Sequence, residues 1–419
     1  MQAVILAAGA SSRFWPLNDM HKSLVRITGK PIIQHTIENL IKAGIDQIIV
    51  VQGSERDVEK IIGNKIGDAR INYVIQKEPL GMGNALYQAK ELLEEQFFVL
   101  NPEHFFTHEL IEDLLNRQVD GGSPVVLLGK KTDMPWLYGI LKLDGDRAVD
   151  LVEKPTQGEE PSNIKVAGIY LLPKEFFEYY DRVEKHMYDY EDALKLYMKE
   201  KDVRVIITDR DLPTLKYPWH ILDITRLKLL EIKGREIDES VEISDSAVIK
   251  GPVHIGKNTK IMNHAVIKGP VWIGDNCIIG DHALIRDYTD IENNCIVGAH
   301  SEIARSVLQE GVHIHSGFVG DSVIGKNTRI GAGIVTANVR LDRNYIKVVV
   351  KNKGVDTKVK SLGTIVGSDV RIGINVSIMP GILIGRDSII GPHTIVRENV
   401  PDNTLFYSKF ESIIRKRLK

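Results

Sequence analysis

The sequence predicts two domains of different classes: an α/β domain over the first half of the chain and a parallel β-helix over most of the second half. The β-helix is predicted by a repeat, because isoleucine or valine stands at every sixth position from Ile243 to Ile303, each two residues after a short side chain. Neither a helix, with 3.6 residues per turn, nor a strand, with a period of two, gives that spacing, whereas one hexapeptide per flat face of a β-helix does. The α/β domain is predicted by alternating apolar strand-like and helix-like segments before residue 230.

Five apolar segments of the first half are predicted to be strands. They are residues 3–6, 47–51, 71–75, 96–100 and 125–128. The amphipathic segment 31–43 is predicted to be a helix that stops at Gly44, because glycine readily adopts the left-handed conformation found after helices. Buried strands with helices between them indicate a sheet covered on both faces, and such sheets bind ligands beyond the carboxyl ends of their strands.

A longer repeat, three hexapeptides in length, is predicted to form one coil of the β-helix. Residues 248–256 recur as residues 266–274 with a single change. Positions separated by three hexapeptides are therefore expected to stack at a strand spacing of about 4.8 Å.

Two columns of side chains follow from this coil. Cys277 and Cys295 are one coil apart in short-side-chain positions, so we expect reduced packing residues rather than a disulfide. His264, His282 and His300 form the second column. A metal-binding stack and an outward-facing ladder are both compatible with that spacing, and the ladder is favoured.

The hexapeptide register is interrupted twice. It slips by three positions after Ile303, resumes at Ile324, and resumes again at Val366 after an insertion. The insertion, residues 340–360, carries seven Lys or Arg against two Asp, and its apolar run and Gly-containing turn predict a basic hairpin. Two interpretations stay open: an anion clamp for coenzyme A or a sugar phosphate, and a solvated hairpin.

Composition excludes several classes of protein. The chain has 419 residues, 26% charged and 43% hydrophobic, with a formal net charge of -2. That length supports two cores, and the charge balance argues against a nucleic-acid surface. No apolar run reaches the length of a membrane span, and the N-terminus lacks a signal-peptide layout, so we expect a cytoplasmic protein without a membrane partner.

The loop after the first strand, residues 7–13, is a candidate phosphate-binding loop. Small residues around Gly9 would let main-chain N–H groups approach a phosphate or a base closely. Arg13 could bind phosphate oxygens bidentately, and Lys22 would add a compact positive charge. An ordinary tight turn is the alternative for this loop.

Several ordered segments resemble the sugar-1-phosphate nucleotidylyltransferases. The N-terminal signature includes Leu6-Ala7-Ala8-Gly9, Arg13-Phe14-Trp15-Pro16-Leu17 and Lys22-Ser23-Leu24, and the later matches are Gln76 to Gly81, Tyr138-Gly139, Glu153-Lys154-Pro155 and Asn163 to Tyr170. The second half resembles the hexapeptide acetyltransferase domain attached to such enzymes, especially the archaeal bifunctional glucosamine-1-phosphate type. The resemblance covers essentially the whole chain and implies that the β-helix is left-handed.

The first implied reaction is attack of a sugar 1-phosphate on the α-phosphate of a nucleoside triphosphate, with release of pyrophosphate. UTP or dTTP is favoured, because Gln76 corresponds to the residue that reads uracil or thymine. The resemblance gives catalytic roles to Arg13 and Lys22. It implies nucleotide binding by Leu6, Ala8, Gly9, Gln76 and Gly81, and sugar binding by Gly139, Glu153, Lys154 and Asn163.

A magnesium site is also implied, but at altered positions. The family's first ligand is an aspartate, which corresponds here to Glu103, and its second ligand corresponds to His220. Mg²⁺ prefers oxygen ligands, whereas imidazole suits Mn²⁺ or Co²⁺ better, so those two ions are alternatives.

The second implied reaction is transfer of an acetyl group from acetyl-CoA to an amino-sugar 1-phosphate. His315 is implied as the base, with His313 as its competitor. Asn338 would polarise a carbonyl or orient the sugar, and Lys347 and Asn375 would meet phosphate or coenzyme. The family often has tyrosine where Phe318 stands.

The expected organisation follows from both halves. A homotrimer, or a multiple of one, is implied by the family. The expected segments are a nucleotidyltransferase domain at 1–229, a helical linker at 230–238, a β-helix at 239–405 with its insertion at 340–360, and a basic helix at 406–419.

Two other functions stay open. One is an acetyltransferase whose first domain binds nucleotide but catalyses weakly, and the other is a non-enzymatic regulatory or sensor subunit. The altered Glu103 and His220 favour these alternatives. The intact cations Arg13 and Lys22 and the sugar carboxylate Glu153 favour the enzyme.

Overall fold

The computed structural model of the chain describes residues 1–104, 107–121, 125–210 and 212–415. Contacts divide it into two compact units. Unit 1 comprises Met1–Ala10, Ser23–Val25 and Pro31–Pro213, and unit 2 comprises Ser11–Lys22, Arg26–Lys30 and Thr214–Lys419. This division differs from the expected boundary at residue 229, because residues 214–229 and two N-terminal segments belong to unit 2.

The chain up to residue 229 contains twelve strands and seven α-helices in its described part. The strands are β1 Gln2–Ala7, β2 Arg26–Ile27, β3 Lys30–Pro31, β4 Gln47–Gln52, β5 Lys65–Ile66, β6 Ala69–Ile75, β7 Gln96–Leu100, β8 Val125–Lys131, β9 Gly139–Asp144, β10 Arg147–Glu153, β11 Ile164–Pro173 and β12 Val203–Thr208. The helices are α1 Ile32–Lys42, α2 Asp57–Ile62, α3 Met82–Gln88, α4 Thr107–Gly121, α5 Phe176–Asp181, α6 Asp189–Glu200 and α7 His220–Leu229. Short 3-10 helices cover Lys22–Leu24, Lys90–Leu92 and Pro135–Leu137.

Ten of these strands form the mixed sheet of unit 1, in the order β5-β6-β4-β1-β7-β11-β8-β12-β10-β9. Strands β6, β4, β1 and β7 run parallel, and β11 is antiparallel to both of its main neighbours, β7 and β8. Ala3, Val4 and Ile5 of β1 are completely buried, as expected for a strand covered on both faces. All five predicted strands are confirmed, and α1 ends next to Gly44, which has a φ of +79°.

Unit 2 is a parallel β-helix with three faces. One face stacks Arg235–Ile237, Val253–Ile255, Val271–Ile273, Thr289–Ile291, Val307–Leu308, Val323–Ile324, Thr364–Val366 and Ile382–Ile384. The second stacks Glu242–Ile243, Lys260–Ile261, Ile278–Ile279, Ile296–Val297, His313–Ile314, Arg329–Ile330, Arg371–Ile372, Ile389–Ile390 and Leu405–Phe406. The third stacks Val248–Lys250, Val266–Lys268, Leu284–Ile285, Ser301–Ala304, Gly317–Gly320, Ile334–Thr336, Ser377–Ile378 and Ile395–Val396.

The predicted coil of three hexapeptides is confirmed by the strand register. Ile255 pairs with Ile273, and Ile261 pairs with Ile279, each partner lying three hexapeptides further along the chain. The branched side chains of the lattice form a single buried core along the coil. The hexapeptide spacing therefore fixes which side chain of every face points inward.

The slip in register is distributed over three shortened steps. The inward positions run from Ile303 to Leu308, Ile314, Val319 and Ile324, and all of them are completely buried. Three of these four steps are one position shorter than a hexapeptide, so each loses one residue from a turn. As a result, Ile303 pairs with Val319, whereas a regular coil would pair it with residue 321.

The two predicted side-chain columns are present. Cys277 and Cys295 are buried free thiols whose Sγ atoms lie 3.2 Å from main-chain carbonyl oxygens. The rings of His264, His282 and His300 stack with centroids 4.9 and 5.0 Å apart. All three side chains are exposed, so the stacked rings form an outward-facing ladder, as favoured from the sequence.

Two buried carboxylates of the coil, Asp290 and Glu292, bind the segment around Thr28. Asp290 Oδ2 accepts the Thr28 N–H at 2.7 Å, and Glu292 Oε1 accepts the Gly29 N–H at 2.9 Å. Arg26 Nε lies 3.3 Å from Glu292 Oε2. Both carboxyl groups are completely buried, and burial raises the pKa of each above its usual range.

The insertion forms the predicted hairpin, with strands Lys347–Val350 and Lys353–Asp356. Two predicted helices are wrong. In place of a helical linker at 230–238, α7 ends at Leu229 and the strand Arg235–Ile237 already forms the first rung of the coil. Ile237 lies one hexapeptide before Ile243, so the lattice begins one hexapeptide earlier than predicted.

The predicted C-terminal helix is also absent where the structure describes the tail. Leu405–Phe406 is the last strand of the coil, and residues 407–415 are not helical; residues 416–419 lie outside the described residues. The Ser408 N–H donates to Thr394 Oγ1 at 3.1 Å, so the coil, and not a helical turn, accepts this N–H. No helix among the described residues is long and apolar enough to cross a membrane.

Candidate active sites

The loop after β1 leaves space beside its main chain. A Cβ atom added at Gly9 would meet no atom within 4 Å. Packing within the protein therefore does not require glycine at this position. Open space beside a main chain at the carboxyl end of a buried strand suits the close approach of a phosphate or a base. The predicted nucleotide contacts Leu6, Ala8 and Gly9 all lie at this strand end.

Gln76 is held in one orientation at the end of β6. Its side chain is 5% exposed, and Nε2 donates to Gly81 O at 3.1 Å and to Asn84 Oδ1 at 2.9 Å. Because both amide hydrogens are used within unit 1, Oε1 is the atom that can face a ligand. Gly81 has a φ of +108°, and a Cβ there would lie 2.9 Å from Met187 O, so glycine is required.

The predicted sugar contacts converge at the β9–β10 pair. Gly139 and Glu153 are register partners, and a Cβ at Gly139 would lie 2.8 Å from Glu153 Oε2. Lys154 Nζ lies 2.9 Å from Glu153 Oε1. Asn163 is exposed, and its carbonyl accepts the Thr132 N–H at 2.9 Å, immediately before β11.

One residue whose charge interacts with this carboxylate, Glu191, was not predicted from the sequence, whereas Tyr170 ends the predicted sugar-binding segment. Burial raises the pKa of the Glu191 carboxyl, and the charge of Glu153 raises it further. Burial also raises the pKa of the Tyr170 hydroxyl, with contributions from Glu191 and Glu153. Glu191 lies in α6, far from Glu153 along the chain, and no motif signals its proximity.

Unit 2 holds the predicted catalytic cation Lys22 beside His220. Lys22 Nζ donates to Leu215 O at 2.8 Å, and its N–H donates to Ser11 Oγ at 3.1 Å. Burial, followed by the charges of Lys216 and Lys22, lowers the pKa of His220 to about 4. Arg13, the other predicted cation, is an exposed residue of the same unit.

His220 does not fit the predicted role of metal ligand. The Lys216 N–H donates to its Nδ1 at 3.2 Å, and its ring also has a hydrogen bond to the main chain of Thr214. A neutral imidazole has one donor and one acceptor nitrogen, so both are engaged. Glu103, the other predicted ligand, is a buried residue of unit 1. As it is bonded here, His220 therefore does not fit the implied Mg²⁺, Mn²⁺ or Co²⁺, and among the residues that the structure describes no group of three or more His, Cys, Asp or Glu could hold a metal ion. The role of Glu103 stays a prediction.

The predicted acetyltransferase base, His315, is exposed where the coil is shortened. Its N–H donates to Ile330 O at 2.9 Å, and it immediately precedes the turn into Gly317–Gly320. His313 is half-buried, and burial, then Arg329 and His315, lowers its pKa. The two histidines therefore differ in environment, and His315 is the more accessible.

The predicted Asn338 lies next to Phe318 and Asp321. A Cβ at Gly320 would lie 2.5 Å from Phe318 Cζ and 3.1 Å from Asn338 Nδ2, so ring and amide flank this glycine. Asn338 Nδ2 donates to Asp321 Oδ2. Asp321 carried no signal in the sequence, because the shortened coils hide which residues stack.

Lys347 and Asn375, the other residues predicted to bind phosphate or coenzyme, lie on the hairpin and at a corner of the coil, respectively. Lys347 is an exposed residue of the hairpin, in register with Asp356, and Lys351 at the hairpin turn donates to Ser12 Oγ at 2.7 Å. Asn375 has a φ of +53° at a corner of the coil, a conformation that asparagine tolerates. That corner position accounts for Asn375 structurally, and its ligand role stays a prediction.

Two family models match the two halves of the chain. The nucleotidyl transferase model matches residues 2–220. The bacterial transferase hexapeptide model, described as six repeats, matches residues 252–287, 270–305 and 363–398. These matches confirm the predicted fold class: an α/β nucleotidyltransferase domain followed by a left-handed parallel β-helix.

Curated relatives match over the full length. The bifunctional protein GlmU of Methanococcus maripaludis strain C7 is 38% identical over 100% of both chains. That of Methanocaldococcus jannaschii is 34% identical over 99% of this chain and 100% of its own. A protein of Sulfurisphaera tokodaii named bifunctional sugar-1-phosphate nucleotidylyltransferase/acetyltransferase is 34% identical over 96% of this chain and 98% of its own.

Solved structures support the fold of the first half. The UTP-bound UGPase of Acinetobacter baumannii has a TM-score of 0.50 and 22% identity, and covers 55% of this chain and 93% of its own. Full-length identities of 38% and 34% to the archaeal relatives agree with the order of the two family models. The chain belongs to the bifunctional GlmU family, in which a nucleotidyl transferase domain precedes hexapeptide repeats.

Proposed function

We propose that this enzyme transfers a uridylyl or thymidylyl group from UTP or dTTP to a sugar 1-phosphate, and that it acetylates an amino-sugar 1-phosphate with acetyl-CoA. The observation that carries the nucleotide preference is the orientation of Gln76, which presents its Oε1 as an acceptor. Uracil and thymine present an imide N–H donor at that edge, whereas cytosine presents an acceptor at the equivalent ring nitrogen.

Nucleotidyl transfer needs positioning and charge neutralisation more than covalent chemistry. The phosphate oxygen of the sugar 1-phosphate attacks the α-phosphorus, and the bond to pyrophosphate breaks. Arg13 would stabilise the departing pyrophosphate, and Lys22 the α-phosphate. Glu153 would bind a sugar hydroxyl, and Lys154 the sugar phosphate.

Acetyl transfer needs a base for the amine proton. The amine nitrogen forms a bond to the thioester carbon, the bond from that carbon to sulfur breaks, and coenzyme A leaves. His315 is assigned the proton because it is exposed and lies where the coil is shortened, two residues before the strand Gly317–Gly320. Lys347 and its basic hairpin would bind phosphate groups of the substrates.

The proposed assembly is a cytoplasmic homotrimer, or a multiple of one. The last coils expose large apolar side chains, among them Ile389 at 49%, Ile395 at 47% and Leu405 at 62%. Exposed apolar patches are typical of protein interfaces. Light scattering should give the mass of three 47.0 kDa chains or a multiple of it, whereas a monomer mass would contradict the proposal.

Release of pyrophosphate by the purified protein is the direct test. UTP, dTTP, CTP and GTP would each be offered with glucose 1-phosphate and N-acetylglucosamine 1-phosphate, in Mg²⁺ and in Mn²⁺. Release that requires both UTP or dTTP and a sugar phosphate supports the proposal. If protein that binds nucleotide releases none, the acetyltransferase or sensor alternatives replace it, and acetylation of glucosamine 1-phosphate distinguishes those two.

A further inference from the structure

Two residues of opposite charge, Arg305 and Asp321, occupy the same corner of successive coils. Both have positive φ, +49° and +47°. The Asp321 N–H donates to Ala304 O at 2.9 Å, and the coil between the two corners is one of the shortened ones. The shortened coil thus stacks the guanidinium directly on the carboxylate.

The pair is bidentate and partly shielded from water. Arg305 Nε lies 2.7 Å from Asp321 Oδ1, and Nη2 lies 2.9 Å from Oδ2. The Asp321 side chain is 10% exposed and the Arg305 side chain 33%. A two-pronged contact of this kind fixes the plane of the carboxylate.

The carboxylate in turn fixes the amide of Asn338. Asn338 Nδ2 donates to Asp321 Oδ2, and the main chain of Asn338 is held separately, because its carbonyl oxygen accepts the Leu362 N–H at 2.8 Å. A carboxylate only accepts hydrogen bonds, so Asn338 must turn its NH₂ towards Asp321 and its Oδ1 away from it. Arg305 and Asp321 therefore determine which end of this amide is offered to a ligand.

We propose that Asp321, held by Arg305, is a positioning residue for acetyl transfer that makes Asn338 a hydrogen-bond acceptor towards the attacking amine. This inference rests on the proposed acetyltransferase function. A neutral amine carries two N–H groups: the base takes the proton of one, and Asn338 Oδ1 accepts the other. The nitrogen lone pair is then directed at the thioester carbon. An amide turned the other way would offer its own N–H to that lone pair and hinder attack.

Exchange of the two side chains provides a sharp test. Asp321→Asn replaces one carboxylate oxygen by an NH₂ group, which then faces either Arg305 or the Asn338 NH₂ group, so the fixed orientation of the Asn338 amide is lost. Asn338→Asp places two carboxylates in contact. In the double variant, the amide introduced at position 321 donates to the carboxylate introduced at position 338, which again offers an oxygen to the amine.

Steady-state acetylation of glucosamine 1-phosphate would be measured for all three variants. Each single change should lower kcat on the order of 100-fold, because misplacement of a group that contacts the reacting atoms lowers the rate by about that factor. The KM for acetyl-CoA should stay within about twofold of the wild-type value. The exchange should regain at least about tenfold in kcat relative to either single variant. Glu242→Gln, which removes an exposed carboxylate paired with Lys260 on the first coils, is the control and should match the wild type.

Pyrophosphate release by the same preparations reports whether each variant keeps its nucleotidyl transfer activity. Unchanged kcat in Asp321→Asn, or no recovery in the exchange variant while pyrophosphate release is intact, would overturn the positioning role alone. A wild-type protein that acetylates no amino-sugar phosphate would instead overturn the proposed function, and the inference with it.

Discussion

At the residue scale, hydrogen bonds within the protein decide which atom of a side chain is offered to a ligand. Gln76 uses both amide hydrogens on Gly81 and Asn84, and so offers an acceptor. His220 has both ring nitrogens engaged, and so offers no lone pair to a metal. The sequence contains both residues but not their orientations.

Gln76→Leu should weaken discrimination between nucleobases. Loss of the acceptor removes a hydrogen bond to the imide of uracil, which is worth about 1–3 kcal/mol when a buried partner is lost. The ratio of kcat/KM for UTP to that for CTP should fall by about 10- to 100-fold. Gln34→Leu, a change on α1 where Gln34 contacts Glu38, is the control and should leave the ratio unaltered. An unaltered ratio in Gln76→Leu would contradict base reading by this residue.

His315→Ala should abolish acetyl transfer while nucleotidyl transfer continues. Loss of a general base lowers kcat by about 10²- to 10⁴-fold. His313→Ala is the matched comparison, because His313 lies two residues away in the strand His313–Ile314 and is half-buried with a lowered pKa. Coenzyme A release, followed with a thiol reagent, distinguishes the two. Should His313→Ala lose more activity than His315→Ala, the roles are reversed.

At the scale of elements, single-residue deletions in turns decide which side chains meet. Three shortened steps between Ile303 and Ile324 keep the core filled while they rotate the outward residues relative to the regular coil. The pair Arg305–Asp321 and the accessible His315 all lie within this shortened region. The candidate acetyltransferase residues therefore lie where the six-residue spacing of the coil is interrupted, and not where the spacing is regular.

The buried carboxyl groups of Asp290 and Glu292 should make the stability of the protein depend on pH. Burial raises the pKa of both carboxyls, so the folded state binds their protons more tightly than the unfolded state does. Stability from this effect is present below the ordinary pKa of about 4 and is lost as pH rises through the raised values.

Asp290→Asn should therefore reduce the fall in the thermal unfolding midpoint between pH 5 and pH 8, as measured by calorimetry. Asp342→Asn is the control: its carboxyl is exposed, and the Arg340 hydrogen bond lowers its pKa, so its effect is confined to acidic pH. An equal slope in wild type and Asp290→Asn would show that Asp290 stays ionised in the fold.

At the scale of the whole molecule, the two proposed activities would act on one substrate in turn. If the proposed functions are correct, acetyl transfer makes the N-acetylated sugar 1-phosphate that nucleotidyl transfer then uses. The nucleotidyl transferase model matches residues 2–220, and the hexapeptide model matches residues 252–287, 270–305 and 363–398.

Acetyl-CoA should therefore stimulate pyrophosphate release from UTP and glucosamine 1-phosphate. The stimulation should disappear in His315→Ala, whereas N-acetylglucosamine 1-phosphate should restore release in that variant. Enzyme-coupled detection of pyrophosphate measures all three cases. Equal release with and without acetyl-CoA would mean that the amino sugar is itself a good substrate and that acetylation is not required first.

The local pattern of the sequence determined the classes of both domains, because burial imposes a strict period on the chain. The hexapeptide lattice from Ile243 to Ile303 admits only a β-helix, and the five apolar strands, with helices between them, indicate a covered α/β sheet. The motifs around Gly9, Gln76 and Glu153 likewise indicated the candidate nucleotide and sugar sites. Their ligand roles stay predictions.

Only the tertiary structure determined the contacts between residues whose spacing in the sequence follows no repeat. The helical linker and C-terminal helix were predicted wrongly, because pairing with the coil overrides local helix propensity at Arg235–Ile237 and at the tail. Asp321 meets Arg305 and Asn338 only because the coil loses residues from its turns. Hydrogen-bond direction and burial depend on such long-range neighbours, so the sequence identified the candidate side chains, and the fold decided what each can do.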